Sequence, residues 1–450
     1  MTTDSVPQQI PSLADLKIER LGGQRVPSPF QKRRKQFVDE KNRVLVCSTT
    51  DDLERALESG EEPPSFEAAG PRRDLFFSPE QVSCGIVTCG GLCPGVNDVI
   101  RSIVLTVSHG YGVRRILGFR YGYSGLSADS HREPLFLEPD MLEHAHLHGG
   151  TLLGTSRGPQ DLDDMVDNLV RWKVGILFAI GGDGTLRGAS ALAAKIRQRG
   201  LPISVIGIPK TIDNDLLWIE RSFGFATAVE EARSVIDAAH TEARAAWNGV
   251  GLVKLMGRYS GAIAAYATLA SGDVNFVLVP EVAFDIDGEG ALLDQLEERI
   301  VSRRHAVVVV AEGAGQEHLA RDRQEHLDLS GNVRLKDIGS FLRDRIRNHF
   351  ADRNLAVDLK YIDPSYTIRS RPANTLDSSF CLILGQHAVH AGMTGCTDMM
   401  VGFWNNAFTH VPLPLVARAR KQLNPHGEIW QRVLDATGQP PAMVTEQTDD

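Results

Sequence analysis

From Ser83 to Leu359 the chain alternates short apolar runs with longer stretches whose apolar residues recur at helical spacing. The runs Cys84 to Cys89, Val113 to Phe119, Val174 to Ile180, Ile203 to Ile208, Gly251 to Leu255, Phe276 to Val279, Ala306 to Ala311 and Asn354 to Leu359 are predicted strands. Trp172 to Ile180 is the strongest of them: Val174, Ile176, Leu177, Phe178 and Ile180 form an almost continuous apolar run, the pattern of a parallel strand covered on both faces. Thr185 to Arg197, Thr227 to Thr241 and Leu292 to Ser302 are predicted helices. Strands alternating with helices in this way predict an α/β fold with mainly parallel, doubly wound sheets.

The ends depart from this pattern. Residues 1 to 80 are rich in proline and charge, with little periodicity beyond Arg43 to Cys47, and they carry the basic run Gln31-Lys32-Arg33-Arg34-Lys35. Such a run reads as a solvated arm, or as one that packs on the core or on a partner subunit. The tail after Ala436, with Pro440-Pro441 and the polar stretch Thr445 to Asp450, is expected to fray.

Two turns hold the candidate chemistry. Gly181-Gly182-Asp183-Gly184-Thr185 joins a strand to a helix, where small residues let a phosphate approach the helix N-terminus and an Asp can meet a metal-bridged phosphate. The same five residues also suit a tight turn with an Asp near the N-cap. About thirty residues later, Pro209-Lys210-Thr211-Ile212-Asp213-Asn214-Asp215 follows another strand, placing Asp213 and Asp215 at its C-terminal end, where open α/β sheets bind ligands. Phosphoryl transfer needs a carboxylate that takes the acceptor's proton, and Asp213 is the candidate base. Local Asx turns are the competing reading of these acids.

With Gly90-Gly91-Leu92-Cys93-Pro94-Gly95 upstream and Met256-Gly257-Arg258 downstream, the chain resembles the 6-phosphofructokinase family over roughly residues 81 to 410. Gly149 to Arg157, Pro280-Glu281, Ala311-Glu312-Gly313 and Tyr361 to Ser370 extend the likeness, the last of these toward the plant and trypanosomatid branch. The resemblance implies two Rossmann-like lobes with the active site in the cleft between them. It divides the chain into an extension (1–80), a nucleotide-binding lobe (81–224, completed by about 367–420) and a sugar-phosphate lobe (225–366, completed by about 421–450).

It also implies transfer of the γ-phosphoryl of MgATP to the 1-hydroxyl of fructose 6-phosphate in a glycolytic, allosteric homodimer or homotetramer. Asp183 would hold Mg²⁺, Asp213 would deprotonate the sugar, and Thr211, Lys210 and Arg258 would stabilise the transferred group, the Arg as a bidentate fork. Gly90, Arg157, Gly182, Gly184, Thr185 and Arg187 would line the nucleotide. Asp215 would orient acceptor or metal, Met256, Gly257 and Glu281 would contact the sugar, and Lys360, Tyr366 and Arg369 would bind its 6-phosphate.

Donor choice turns on two positions. Related pyrophosphate-dependent enzymes carry an Asp where this chain has Gly184, and that Asp would fill the space of an ATP α-phosphate; Lys210 is the residue those enzymes share. Gly184 is given the greater weight, so ATP is expected, with a pyrophosphate-dependent enzyme as the alternative. Two departures stand out. Gly249 occupies a position where short bacterial enzymes offer an Arg to the sugar phosphate, and Arg371-Pro372 follows the acceptor segment, admitting another sugar phosphate such as sedoheptulose 7-phosphate. A non-catalytic sensor would have no use for a base beside the Mg²⁺ carboxylate.

The bulk properties set bounds on this reading. At 450 residues and 42% hydrophobic content the chain can build more than one core, and its net charge of −9 argues against nucleic acid or an anionic membrane as partner. No run is long enough to span a membrane and Met1 to Gly23 lacks signal-peptide regions, so a cytoplasmic protein is expected. Six cysteines form no disulfide framework, although Cys89 and Cys93 flank a glycine turn where a metal pair or redox switch is conceivable. His144, His146 and His148 would share a face only on a strand; a short helix over Met141 to Leu147 is expected instead, which spreads them apart.

Overall fold

The computed structural model describes residues 10–445 except positions 34, 48, 59, 61, 128–131, 320–332 and 417. Arg34 of the basic run and residues 446–450 of the tail therefore lie outside the described residues. Thirteen strands build the two principal sheets. They are β1 (Arg43–Leu45), β2 (Ser65–Ala68), β3 (Ser83–Thr88), β4 (Arg115–Phe119), β5 (Leu135–Phe136), β6 (Ile176–Gly181), β7 (Ser204–Pro209), β8 (Gly249–Leu255), β9 (Phe276–Leu278), β10 (His305–Ala311), β11 (Asp358–Ile362), β12 (Met399–Trp404) and β13 (Ala407–Pro412). The nine-stranded sheet runs β1-β2-β13-β12-β7-β6-β3-β4-β5, with the five central strands parallel and the outer pairs antiparallel. The four-stranded sheet, β9-β10-β8-β11, is wholly parallel.

Every residue of β3, β6 and β7 is buried, as their unbroken apolar runs require when helices cover both faces of a parallel sheet. The helices that position the site are α1 (Val96–Leu105), α2 (Asp183–Gln198), α3 (Phe225–Ala245), α4 (Ala262–Ser271), α5 (Leu292–Arg303), α6 (Ile338–Asp352), α7 (Ser365–Arg369), α8 (Thr375–Met393) and α9 (Glu428–Thr437). α2 starts two residues before the predicted Thr185, with Gly182 as its N-cap. The strand expected over Asn354 to Leu359 is displaced to Asp358–Ile362 because Asn354 takes φ +52° and Leu355 closes the preceding helix, donating to Phe350 O.

Both chain ends are better anchored than their composition suggests. β1 and β2, from the extension, continue the large sheet through β13, and Glu19–Arg20 pairs with Cys396–Thr397. At the other end, Gln439 is buried with its side-chain amide bonded to both Val277 N–H (2.6 Å) and Val277 O (3.2 Å), completing an edge strand. Thr445 binds Asp285, so the frayed tail expected after Ala436 is instead packed along the small sheet up to residue 445.

Candidate active site

Strand register brings the motifs together. Gly181 lies opposite Pro209 and Ile180 opposite Thr88, so the Gly90, Gly182 and Lys210 turns leave three neighbouring parallel strands side by side. Backbone bonds fix them there: Cys89 N–H donates to Ile180 O and Lys210 N–H to Gly181 O, each at 2.9 Å. A Cβ on Gly181 would stand 2.2 Å from the Thr185 hydroxyl, so this turn closes only with glycine. Gly182 caps α2 without a side-chain bond, which leaves the first N–H groups of the helix to an anion.

The small sheet repeats the device. Leu255 pairs with Ala311, Glu312 N–H donates to Leu255 O, and Gly313 N–H donates to Gly257 O, setting Arg258 beside Glu312. Arg369, at the end of α7, donates from Nε to Met256 Sδ at 3.2 Å. The two sheet ends face a cleft of about 780 Å³ lined by Arg157, Asp183, Gly184, Arg187, Lys210, Thr211, Asp213, Asp215, Arg258 and Arg369, among others. Gly90, Gly182 and Thr185 line it as well. Met256, Gly257, Glu281, Lys360 and Tyr366 do not. Met256 is fully buried behind Arg369, and Glu281 is occupied by the N–H groups of Gly261 (3.0 Å) and Leu423 (2.8 Å). Lys360 pairs with Asp358, while Tyr366 is 86% exposed.

The lining residues not singled out from the sequence include Tyr123, Tyr259, Glu312 and Arg420. Glu312 lay within a matched motif, but Arg420, two positions after Arg418 in a cationic stretch, carried no local signal. Its Nη2 sits 3.0 Å from Asp183 Oδ2, an oxygen that also pairs with Arg187 at 2.9 Å.

Charge in the cleft is arranged around Asp213. Its Oδ1 is buried without a hydrogen-bond partner, whereas Asp215 accepts from the Thr211 hydroxyl. Burial, with the nearby Asp215 and Glu312 carboxylates, pushes the Asp213 carboxyl up to about 7 against the opposing pull of Arg369 and Arg258. The loop that presents it is held by Asn214, which adopts φ +52°, donates to Glu220 O and accepts from Ser222 N–H. Lys210 is buried, donates to Gly91 O at 2.6 Å, and has its ammonium value lowered by desolvation.

Residues 83–392 match the protein family described as phosphofructokinase. The chain belongs to the phosphofructokinase family. An ATP-dependent 6-phosphofructokinase of Amycolatopsis methanolica is 48% identical over 439 residues, 95% of each chain. ATP-dependent 6-phosphofructokinase 7 of Arabidopsis thaliana is 45% identical over 86% of this chain and 79% of its own. The ATP-dependent 6-phosphofructokinase of Trypanosoma brucei brucei is 43% identical over 94% and 87%, respectively. Among solved structures, a pyrophosphate-dependent phosphofructokinase from Marinobacter aquaeolei superposes with a TM-score of 0.66 at 19% identity, covering 82% of this chain and 92% of that one. That likeness bears on the fold, which is the two-lobed phosphofructokinase architecture.

Against other phosphofructokinases the departures have structural causes. A Cβ on Gly249 would fall 2.1 Å from Ala243 O, so the close packing of β8 on α3 leaves no room for any side chain there. Arg371 is engaged by Glu231 at 3.1 Å. Cys89 and Cys93 are buried free thiols pushed up to about 12 by desolvation, which makes them poor nucleophiles and poor ligands. His144 and His148 flank a 3₁₀ turn at Ala145–Leu147, and among the described residues no three His, Cys, Asp or Glu side chains gather as a metal cluster.

Proposed function

We propose that this chain is an ATP-dependent 6-phosphofructokinase that transfers the γ-phosphoryl of ATP to the 1-hydroxyl of fructose 6-phosphate, giving fructose 1,6-bisphosphate and ADP. The observation that carries the reading is Asp213: a cleft carboxylate with a buried, unpartnered oxygen, held near neutrality and flanked by Arg258 and Arg369. Near-neutral acidity suits a general base working at physiological pH.

Asp213 takes the proton of the sugar's 1-hydroxyl as that oxygen bonds to the γ-phosphorus, and the bond from the γ-phosphorus to the β–γ bridging oxygen breaks to release ADP. Arg258, Arg157 and Lys210 neutralise charge that the transferred group spreads over its oxygens. Thr211 fixes Asp215 by donating its hydroxyl to Oδ1. Arg369 supplies the cation for the 6-phosphate, its guanidinium braced by Met256. Asp183 fits a magnesium ion, because its Oδ2 already attracts two guanidinium cations and Mg²⁺ characteristically takes one or two carboxylates together with substrate phosphates. When bound, Mg²⁺ draws charge from the phosphate oxygens.

ATP is favoured over pyrophosphate because a side chain at 184 would meet nothing within 4 Å, so glycine leaves that space for the nucleotide. The ion pair of Arg371 with Glu231 favours fructose 6-phosphate over a longer sugar, since Arg371 is committed elsewhere. A homodimer or homotetramer in the cytoplasm completes the proposal; Leu376, Leu382 and Ile383 leave apolar surface on α8, and no described helix is long and apolar enough to cross a membrane. The test is the initial rate of bisphosphate formation with Mg²⁺, fructose 6-phosphate and either ATP or pyrophosphate. Turnover with ATP alone is expected; turnover with pyrophosphate alone would overturn the donor assignment, and silence with both would overturn the reaction.

A further inference from the structure

A strap from Arg420 to Leu423 bridges the two sheets beside the cleft and is tied at every residue. Arg420 forms a β-bridge with Leu216, its Nη2 reaches Asp183 Oδ2 at 3.0 Å, and its guanidinium lies 4.0 Å above the Tyr259 ring centre. Lys421 N–H donates to Asp215 O, and its ammonium donates to Ile219 O and Glu220 O. Gln422 donates to Tyr259 O and Leu423 N–H to Glu281. The strap thus joins the Asp183 and Asp215 turns of the large sheet to Tyr259 and Glu281 of the small one. A guanidinium fixed by a stacked ring and a bridged backbone loses little freedom when it binds an anion.

We propose that Arg420 is a further residue of the donor site, held in reserve by Asp183. Paired with Asp183, the guanidinium keeps its charge from the donor's phosphates. With Asp183 holding Mg²⁺, the guanidinium would turn to the phosphate oxygens, so that metal and nucleotide would bind cooperatively through this one side chain. The inference rests on Asp183 as the metal carboxylate. Arg187 shares the same oxygen but projects from α2 at 50% exposure, while Arg420 is 27% exposed and stacked, so Arg420 is the better-organised of the two.

Equilibrium binding of ATP to the full chain, by calorimetry without fructose 6-phosphate, tests this in four variants with either EDTA or excess Mg²⁺. Arg420→Met is expected to weaken MgATP binding by about tenfold, the order of one charge-assisted contact to phosphate, and to leave metal-free ATP binding nearly unchanged, because the wild-type guanidinium is already sequestered. Asp183→Asn is expected to bind metal-free ATP about tenfold more tightly than wild type, and Asp183→Asn with Arg420→Met should lose that gain. Arg420→Lys, which keeps the charge and strap packing, should recover part of the MgATP affinity. Equal weakening of metal-free and Mg²⁺-bound ATP by Arg420→Met, or a gain in Asp183→Asn that survives in the double variant, would overturn the reserve role. Undiminished Mg²⁺ enhancement of ATP binding in Asp183→Asn would instead remove the metal assignment, and the proposal with it.

Discussion

The Thr211 hydroxyl donates to Asp215 Oδ1, one turn of loop beyond the carboxylate it leaves alone. Asp213 lies between them in sequence, with Oδ1 buried and unpartnered. Neighbouring acids are thereby given different work: one is pinned by a hydrogen bond, and the other keeps its lone pairs for a substrate proton. Replacing Asp213 with Ser should cut kcat by about two to four orders of magnitude, the usual consequence of losing a general base, with KM for both substrates little changed. Steady-state kinetics decides it, and near-normal turnover would move the base elsewhere.

The environment of Asp213 also sets a pH profile. Burial raises its folded-state value from an ordinary 3.8 to about 7, helped by Asp215 and Glu312 and opposed by Arg369 and Arg258. The active, ionised form therefore accumulates as pH rises through about 7, and kcat/KM should fall about tenfold per unit below that point. Stability runs the other way. The folded protein holds this proton more firmly than the unfolded chain, so the contribution is complete below 3.8 and is lost as pH rises through about 7. Asp213→Asn, which cannot ionise, should accordingly melt higher than wild type at pH 8 and nearly level with it at pH 4. A Tm difference independent of pH would show that the carboxyl is not perturbed.

Most of the large-sheet side of this cleft was legible in the sequence, because strand-end motifs are local: β6 and β7 are adjacent, and register alone sets Asp183 beside Lys210 and Thr211. The small-sheet side was less so. Lys360 and Tyr366 match the family segment, yet they stand outside the cleft, with Lys360 on Asp358 and Tyr366 turned to solvent. Arg420 was invisible, since its place depends on a strap returning more than two hundred residues after Asp183. The placing of the extension was less legible for a related reason: Phe66 is buried against Trp218 and Trp404, and Glu67 by pairing with β13, which no local pattern near residue 66 records.

Gly184 yields a prediction in which stability and function part. Nothing lies within 4 Å of a Cβ built there, and the position is the second residue of α2. An Asp in the first turn of a helix is favoured by the macrodipole by about 0.3–1 kcal/mol and avoids the glycine entropy cost. Gly184→Asp should therefore melt at or above the wild-type temperature while its KM for ATP rises at least about tenfold, through loss of space and added repulsion toward phosphate. Unchanged ATP kinetics would mean that this space does not belong to the nucleotide.

Glu67 yields the opposite case, a charge that matters to the fold and not to the cleft. It is 3% exposed and held by Arg20 at 2.7 and 2.8 Å and Arg72 at 2.6 Å, with His410 Nδ1 3.3 Å away. Burial pushes its carboxyl up, but His410 and Arg20 win and hold it well below the usual carboxylate range. Its stabilisation is therefore present above the ordinary value and is lost only as pH falls through the depressed one. Glu67→Gln would leave the buried Arg72 without its anion and Arg20 with only the exposed Glu40 at 3.3 Å, and removing one partner of such a cluster costs about 3–5 kcal/mol. Against a typical net stability of about 5–15 kcal/mol, that should lower the urea midpoint clearly. Adding Arg20→Met should cost less than the sum of the single changes, because it removes a charge that has already lost its buried partner. KM for ATP and fructose 6-phosphate should stay at wild-type values in folded Glu67→Gln protein, since the cluster joins β2 to β13 on the far side of the sheet order from β6. A fall in kcat with an unchanged midpoint would instead tie the extension to catalysis.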